Sequence, residues 1–347
     1  MLAPELSFVC PQCRAPVRQD GDSYACAPCS RIYPVLFGIP DFRLRGDRYL
    51  SLELERDKAR RLHEYGLSHS FEQTVAYYYS ITDDVPPALA QRYQAYIRNG
   101  PRQARASVAA LGLDAATSVV LDAGCGTGGF LIAASRHCRS LVGVDIALRW
   151  LVICQMRLAE QGTQAGLICA DIESPPFATG TFTHIAAGDL IEHVYSVEHA
   201  IAVLAGQLAP GGGLWLSASN RYCLGPQAST RIWGIGFLPR ALRSALLLKI
   251  RGVDSLRFFN LVSPFRLRRL CRAHGLRVLS LRPRQIPSAI ADYPWQDRVL
   301  IAAYRWASRI WLVRHLLVLI GPAFELLSVS NQGQADLQTP PSRNASI

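Results

Sequence analysis

Residues 118–129 read Ser-Val-Val-Leu-Asp-Ala-Gly-Cys-Gly-Thr-Gly-Gly, and this stretch decides the fold. Its apolar β-branched run, Val119–Leu121, has the character of a buried strand, which Asp122 ends. Gly124, Gly126, Gly128 and Gly129 follow closely. Glycines let the chain turn sharply and let a ligand approach the backbone. Phe130–Arg136 then has helix character, with its first amides facing that ligand. A strand, a glycine loop and a helix in this order open a nucleotide-type site.

Four further strands follow. Leu141–Val144 ends at Asp145, which stands about 20 residues on, where a carboxylate grips ribose hydroxyls. Leu167–Ala170 ends at Asp171-Ile172, and Phe182–Ala187 leads through Gly188-Asp189 to Glu192-His193-Val194. Leu208-Ala-Pro-Gly-Gly-Gly213 precedes Leu214–Ser217, which ends in Ala218-Ser-Asn220. Polar residues thus sit at successive C-terminal strand tips, the edge where open parallel sheets bind ligands. A dinucleotide-binding dehydrogenase accounts for the glycines and Asp145, but not for Asp171, Glu192-His193 or Pro210-Gly-Gly.

The pieces Leu-Asp-Ala-Gly-Cys-Gly-Thr-Gly, Val-Gly-Val-Asp, Ala-Asp-Ile, Glu-His-Val and Leu-Ala-Pro-Gly-Gly resemble, in order and spacing, the class I S-adenosylmethionine-dependent methyltransferases. The likeness covers roughly residues 85–220 and weakens toward 330. Glu-His-Val and Pro-Gly-Gly look most like the small-molecule branch, which includes ubiquinone-biosynthesis O-methyltransferases. The resemblance implies an α/β fold: a Rossmann-like, seven-stranded, mostly parallel sheet with helices on both faces. It also implies S-adenosylmethionine as methyl donor.

Within that frame, position assigns roles. The loop Gly124-Cys125-Gly126 to Gly128 passes against the methionyl part and ribose. Asp122 lies beneath it, orienting loop amides or receiving the amino group. Asp145, with Ile146 beside it, is the ribose carboxylate. Asp171 accepts from the exocyclic amine of adenine, and Ile172 covers the ring. Each acid alone reads equally as a cap or turn residue. His193 is the candidate general base for a hydroxyl acceptor, with Asp189 and Glu192 near enough to orient it; Asp189 also counts among the donor-binding residues. The competing reading makes Glu192-His193 a cap on the following helix, and a nitrogen or activated-carbon acceptor needs no strong base.

Near the N-terminus, Cys10-Pro-Gln-Cys13 and Cys26-Ala-Pro-Cys29 form two knuckles separated by twelve residues. Two Cys-x-x-Cys turns supply the four soft donors of a tetrahedral structural zinc. The alternative is two reduced cysteine pairs or a redox pair. Val17–Ala25 fits a hairpin turning near Asp20-Gly21. The run Arg31–Phe42 resembles the zinc ribbon of small activator proteins that pair with tRNA and protein methyltransferases, and similar ribbons head some ribosomal RNA methyltransferases. Those activators are separate chains, whereas this ribbon is fused.

The domain reading is a zinc ribbon over 1–42, a linker with leading helices over 43–84, a methyltransferase domain over 85–330, and a polar, disordered tail over 331–347. Charge-dense Arg43–Arg61 reads as solvated helix or linker, and Tyr77-Tyr78-Tyr79 as packing aromatics or a substrate entrance. A helix from Pro86-Pro87 to Leu111 ends at Gly112. The long connection 221–263, holding Trp233, Arg240 and Arg243, reads as a lid. The helix Pro264–His274 and strand Leu276–Leu281 follow. The insert 287–320 places Arg298, Arg305 and Arg309 at helical spacing. It is too charged for a membrane span. It reads as a buried helical insert with an arginine edge, or as an interfacial helix. Ala323–Ser330 closes the sheet.

Half of the 347 residues are hydrophobic, so a large core is available. The net charge of +11 favours nucleic acid, an anionic membrane surface or an acidic substrate without choosing among them. Met1–Phe8 lacks the features of a signal peptide, and six of the ten cysteines are scattered in core segments, which fits a reducing cytoplasm. The leading reading is a methyltransferase acting at O or N of a small or lipid-like acceptor, with peripheral membrane contact at the inner face as an extension and no obligate protein partner. The second is an RNA methyltransferase using the ribbon and basic surface, although no recognised RNA-binding module is present. The third is a non-enzymatic scaffold, which would not need an intact glycine loop and three tip acids.

Overall fold

The computed structural model describes residues 7–331, apart from 83, 84, 86, 228, 229, 231, 253, 255 and 287–294. Four short strands open it: β1 (Arg18–Asp20), β2 (Ser23–Cys26), β3 (Arg31–Leu36) and β4 (Ile39–Pro40). They pair antiparallel in sequence order, and Gly21 turns the first hairpin. This small sheet is not a separate bead. Phe8 bridges Phe177, Asp41 bridges Cys169, and Phe8, Tyr24, Tyr33 and Phe42 belong to the same buried cluster as Leu121, Ile168 and Phe182. A ribbon this small has too little core of its own, so it borrows one.

Four helices follow: α1 (Leu52–Gly66), α2 (Phe71–Ser80), α3 (Pro87–Arg98) and α4 (Gly100–Leu111). Ser51 and Ser70 cap the first two, Ser70 through a capping box with Gln73. The helix expected to run unbroken to Leu111 is two. Pro101 cannot continue a helix through its own first turn, and Gly100 packs so closely on Gly129 that a Cβ on Gly129 would lie 2.9 Å from the Gly100 carbonyl carbon. Gly112, in the left-handed conformation, ends α4 as expected. The expected first helical residue, Pro86, lies outside the described residues, as does the tail from 332.

The large sheet comprises β5 (Val119–Ala123), β6 (Ser140–Asp145), β7 (Gly166–Cys169), β8 (Phe182–Gly188), β9 (Leu208–Ser219), β10 (Leu276–Pro283) and β11 (Ala323–Ser330). Their spatial order is β10-β11-β9-β8-β5-β6-β7. The five-strand block β9-β8-β5-β6-β7 is parallel, and β11 runs antiparallel to both β9 and β10. Between the strands lie α5 (Gly129–Ala134), α6 (Leu148–Glu160), α7 (Val197–Gln207), α8 (Arg240–Arg251), α9 (Pro264–Ala273), α10 (Trp295–Ala307) and α11 (Trp311–Ile320). One apolar cluster fills each side of the sheet. The chain therefore has the seven-stranded, mostly parallel, Rossmann-like architecture. Its switch point lies at the tips of β5 and β8, where crossovers leave in opposite directions.

Two sequence expectations change, and a third is narrowed to one of its two readings. The charge-dense stretch after residue 42 is not simply solvated: Arg43 and Glu55 are buried, and Arg60, pairing with Asp57 and Glu64, shows the expected exposed ladder. The tyrosine triplet packs rather than lines an entrance. Tyr78 is buried 4.4 Å from the Trp150 ring, Tyr77 stacks on Tyr65, and Tyr79 lies against Tyr93. The insert before β11 is not a buried one: α10 has no buried residue and α11 has only Val318. Arg305 does not share a free arginine face, because its guanidinium turns back to donate to the Ile286 carbonyl at 2.5 Å.

Candidate functional site

A cleft of about 240 Å³ opens at the C-terminal edge of the parallel strands. Its walls include Gly124, Asp145, Ile146, Asp171, Ile172, Asp189 and His193, so seven sequence-selected residues meet there from four chain segments. The glycine loop is held by hydrogen bonds to the neighbouring strand tip. Gly124 and Cys125 donate to the Val144 carbonyl at 2.8 and 3.0 Å, and Gly126 donates to Asp145 Oδ2 at 2.9 Å. Asp145 Oδ1 accepts from Ala147 at 2.8 Å. Burial raises the Asp145 carboxyl, and these two amides oppose the rise.

The remaining loop candidates do not line the cleft. Gly128 starts α5 with φ +76°, and a Cβ there would come within 2.6 Å of the Cys154 sulfur, so both backbone and space require glycine. The Cys125 side chain points the other way, buried in the cluster beneath the sheet. Asp122 is buried, and burial followed by the charge of Asp145 pushes its carboxyl up to about 8. The loop amides are oriented by Asp145 and the Val144 carbonyl rather than by Asp122.

Across the cleft lies a segment that sequence reading passed over. Residues 41–50 leave the ribbon and contact the chain at the tips of β6 and β7 and in the turn after β8. Arg43, paired with Asp41 at 2.8 Å, donates to the Ile146 carbonyl at 3.1 Å. Arg45 lies over the Tyr195 ring and gives two hydrogen bonds, 2.9 and 2.7 Å, to Asp171 Oδ2. Asp47 pairs with Arg149 at 3.1 Å, and Arg48 donates to the Val194 carbonyl at 2.9 Å. The Tyr49 hydroxyl meets His193 Nδ1 at 2.9 Å. Asp47, Arg48, Tyr49, Arg149 and Trp150 all line the cleft. Apart from Asp41, which is two residues from Arg43, none of these partners is sequence-local, and charge density was the only signal available for them.

The turn after β8 forms the acceptor end. Asp189 adopts a left-handed backbone, φ +54°, unusual for a residue with a side chain. Its carboxylate takes both Arg284 Nη1 contacts, 2.5 and 2.7 Å, and the Tyr96 hydroxyl at 2.9 Å. Burial alone would raise it, but Arg284, Tyr96 and Ser217 bring it below the usual carboxylate range. Glu192 is buried. Its Oε1 accepts from the Ser219 amide, its Oε2 has no partner, and burial followed by Asp189 pushes it up to about 8. His193 sits at the mouth with Phe259 edge-on at 5.2 Å. Desolvation among these rings lowers its pKa; Asp189 opposes this, and the positive Arg48 adds to it. The helix-cap reading of Glu192-His193 does not hold, since Ser196 caps α7 by accepting from His199. The connection expected to be a lid has its own small core around Ile235, Leu247, Leu256 and Leu261. It reaches the site through Asn260, which donates to the Glu192 and Val194 carbonyls at 2.7 and 2.6 Å.

At the N-terminus the four cysteine sulfurs lie within 4.8 Å of one another, with Cys10 and Cys29 at 3.5 Å and Cys13 and Cys26 at 3.4 Å. No other such group of ligands occurs among the described residues.

Residues 120–212 match the methyltransferase domain family. A ubiquinone biosynthesis O-methyltransferase from Paracidovorax citrulli is 26% identical over 173 residues, covering 47% of this chain and 65% of that protein. One from Chromobacterium violaceum is 30% identical over 105 residues, covering 29% and 44%. The chain thus spans less than two thirds of the length of these relatives. A magnesium protoporphyrin IX methyltransferase from Synechocystis, solved with S-adenosylhomocysteine, aligns at 18% identity and a TM-score of 0.44, over 79% of this chain and 100% of that one. The glycine loop, the acids at three successive strand tips and the heart of the parallel sheet all lie within residues 120–212, the stretch that matches the methyltransferase domain.

Proposed function

We propose that the chain transfers a methyl group from S-adenosylmethionine to oxygen or nitrogen of a small or lipid-like acceptor. The observation that carries this reading is the cleft itself, where Gly124, Asp145, Asp171 and His193 converge at the sheet's switch point. The residues suit the donor: open glycine backbone, a ribose-height carboxylate, and apolar walls from Ile146 and Ile172. When bound, the donor supplies an electrophilic methyl on a sulfonium. The chain's part is to hold donor and acceptor at near-attack distance.

Asp145 grips the ribose, and the loop 124–128 lies along the methionyl part. Asp122 stays beneath as a buried acid whose carboxyl burial and the charge of Asp145 hold above the usual carboxylate range. Asp171 serves the adenine end, sharing its carboxylate with Arg45. Asp189 and Arg284 mark the acceptor end. His193, kept neutral by its surroundings, removes the acceptor proton through Nε2 while Tyr49 fixes the ring at Nδ1. Cys10, Cys13, Cys26 and Cys29 hold a structural zinc. Four sulfurs at these separations suit a tetrahedral ion with Zn–S bonds of about 2.3 Å, and with no open position the metal would stabilise rather than react. Residues 1–42, 43–84 and 85–330 serve as ribbon, linker and catalytic domain, working in the cytoplasm.

Calorimetric titration with S-adenosylmethionine tests the reading. The parent is expected to bind at about micromolar Kd. Asp145→Ala, with an unchanged circular dichroism spectrum, is expected to lose at least about tenfold, one charge-assisted contact. No binding by folded, ligand-free parent protein overturns it.

A further inference from the structure

We propose that the outer face of α10 and α11 docks on an anionic lipid bilayer; this deepens the reading of a lipid-like acceptor and rests on it. Residues 221–320 contain 18 Arg and Lys against 3 Asp and Glu, a surplus of +15. The whole chain carries +11, so the rest is net acidic and the positive charge is gathered on this one stretch. Within it, Trp295, Val299, Trp306, Trp311, Leu312 and Leu316 are exposed, three of them tryptophans at 65–72%. Soluble surfaces seldom carry so many large apolar side chains together. Tryptophan interleaved with arginine is the composition of a helix that lies in the headgroup region with its apolar side down. Arg298, Arg309 and Arg314 are exposed among these residues, and Asp297, the only acid of the two helices, pairs with Arg92. No helix among the described residues is long and apolar enough to cross a membrane.

The inner side of α10 is fastened. Asp297 holds α3 through Arg92 at 3.1 Å, Arg305 holds the Ile286 carbonyl, and the Tyr304 hydroxyl donates to the Arg284 carbonyl at 2.9 Å. Arg284 is the residue whose guanidinium grips Asp189 in the cleft. One residue therefore joins the exposed face to the acceptor end of the site. A bilayer under α10 and α11 puts the cleft within reach of an acceptor dissolved in lipid, while Arg298, Arg309 and Arg314 meet anionic headgroups.

The test is co-sedimentation of the full chain with vesicles of phosphatidylcholine, with and without phosphatidylglycerol. The parent is expected to pellet with the anionic vesicles, less so as salt rises. Trp306→Ser, Trp311→Ser and Leu312→Ser together should weaken binding by on the order of tenfold or more, with an unchanged melting temperature because all three are exposed. Arg298→Glu, Arg309→Glu and Arg314→Glu together should remove the preference for anionic vesicles. The proposal is overturned if the folded parent ignores both kinds of vesicle, or if neither variant changes binding. It is equally overturned if these residues bind a structured RNA or a second copy of the chain instead of vesicles. Vesicle binding is read without donor or acceptor, so a failure here and a failure of methyl transfer are separate results.

Discussion

Glu55→Ala is the sharpest perturbation the structure offers. Glu55 has no exposed surface, and Arg149 is 7% exposed. Glu55 accepts the Arg149 backbone amide at 2.9 Å through Oε1 and pairs with the Arg149 guanidinium through Oε2, while Asp47 takes the same guanidinium at 3.1 Å. This triad ties α1, the segment crossing the cleft and the first turn of α6 into one block. Removing Glu55 leaves a buried guanidinium with one carboxylate and strips the amide of its acceptor. Breaking a buried pair this way costs about 3–5 kcal/mol. At roughly 2–4 °C per kcal/mol for a large domain, the melting temperature should fall by about 6–20 °C. Urea unfolding followed by tryptophan fluorescence measures the difference. Glu55→Leu, Arg149→Met and Asp47→Asn combined remove all three charges and should recover much of the loss, since matched uncharged replacements of buried ion groups are often neutral. A Glu55→Ala change within about 1 kcal/mol of the parent, or a triple variant worse than the single, would refute the reasoning; about 1 kcal/mol is the scale of an exposed pair.

Three other outcomes follow from the cleft and the ribbon. If His193 is the base, His193→Gln should lower kcat by about 10²–10⁴-fold, with donor affinity unchanged in calorimetry. Because its pKa is lowered from 6.5, the base form persists below that value, so the acidic limb of kcat/KM should lie below pH 6.5 in the parent. Tyr49→Ala, which lets water reach the ring, should move that limb upward; a limb already at or above 6.5 in the parent removes the argument. Cys26→Ser should lose zinc by elemental analysis and lower the melting temperature, because the ribbon shares its core with β5, β7 and β8. Full zinc retention sinks the structural-metal reading.

The sheet was legible because its signals are local. An apolar β-branched run such as Val119–Leu121 needs only its own composition to declare a buried strand, and the turns that follow the strands are written in glycine and aspartate. The tip acids were legible for the same reason: each follows its strand directly. The four cysteines were legible because knuckle spacing alone sets ligand geometry.

What the sequence by itself determined, then, was the order of strands, the glycine loop, the acids at the tips and the cysteine set. Tertiary structure alone decided the rest, because it depends on partners far along the chain. Arg45 finds Asp171 across 126 residues, Arg284 finds Asp189 across 95, and Tyr49 finds His193 across 144. A charged residue's neighbours do not say whether it will be solvated or buried, so Arg43 and Glu55 read as surface. Helical periodicity shows that α10 and α11 have an apolar face. Only packing shows that the fold leaves that face uncovered, because α10 spends its polar side chains Asp297, Tyr304 and Arg305 on fastening itself to the domain.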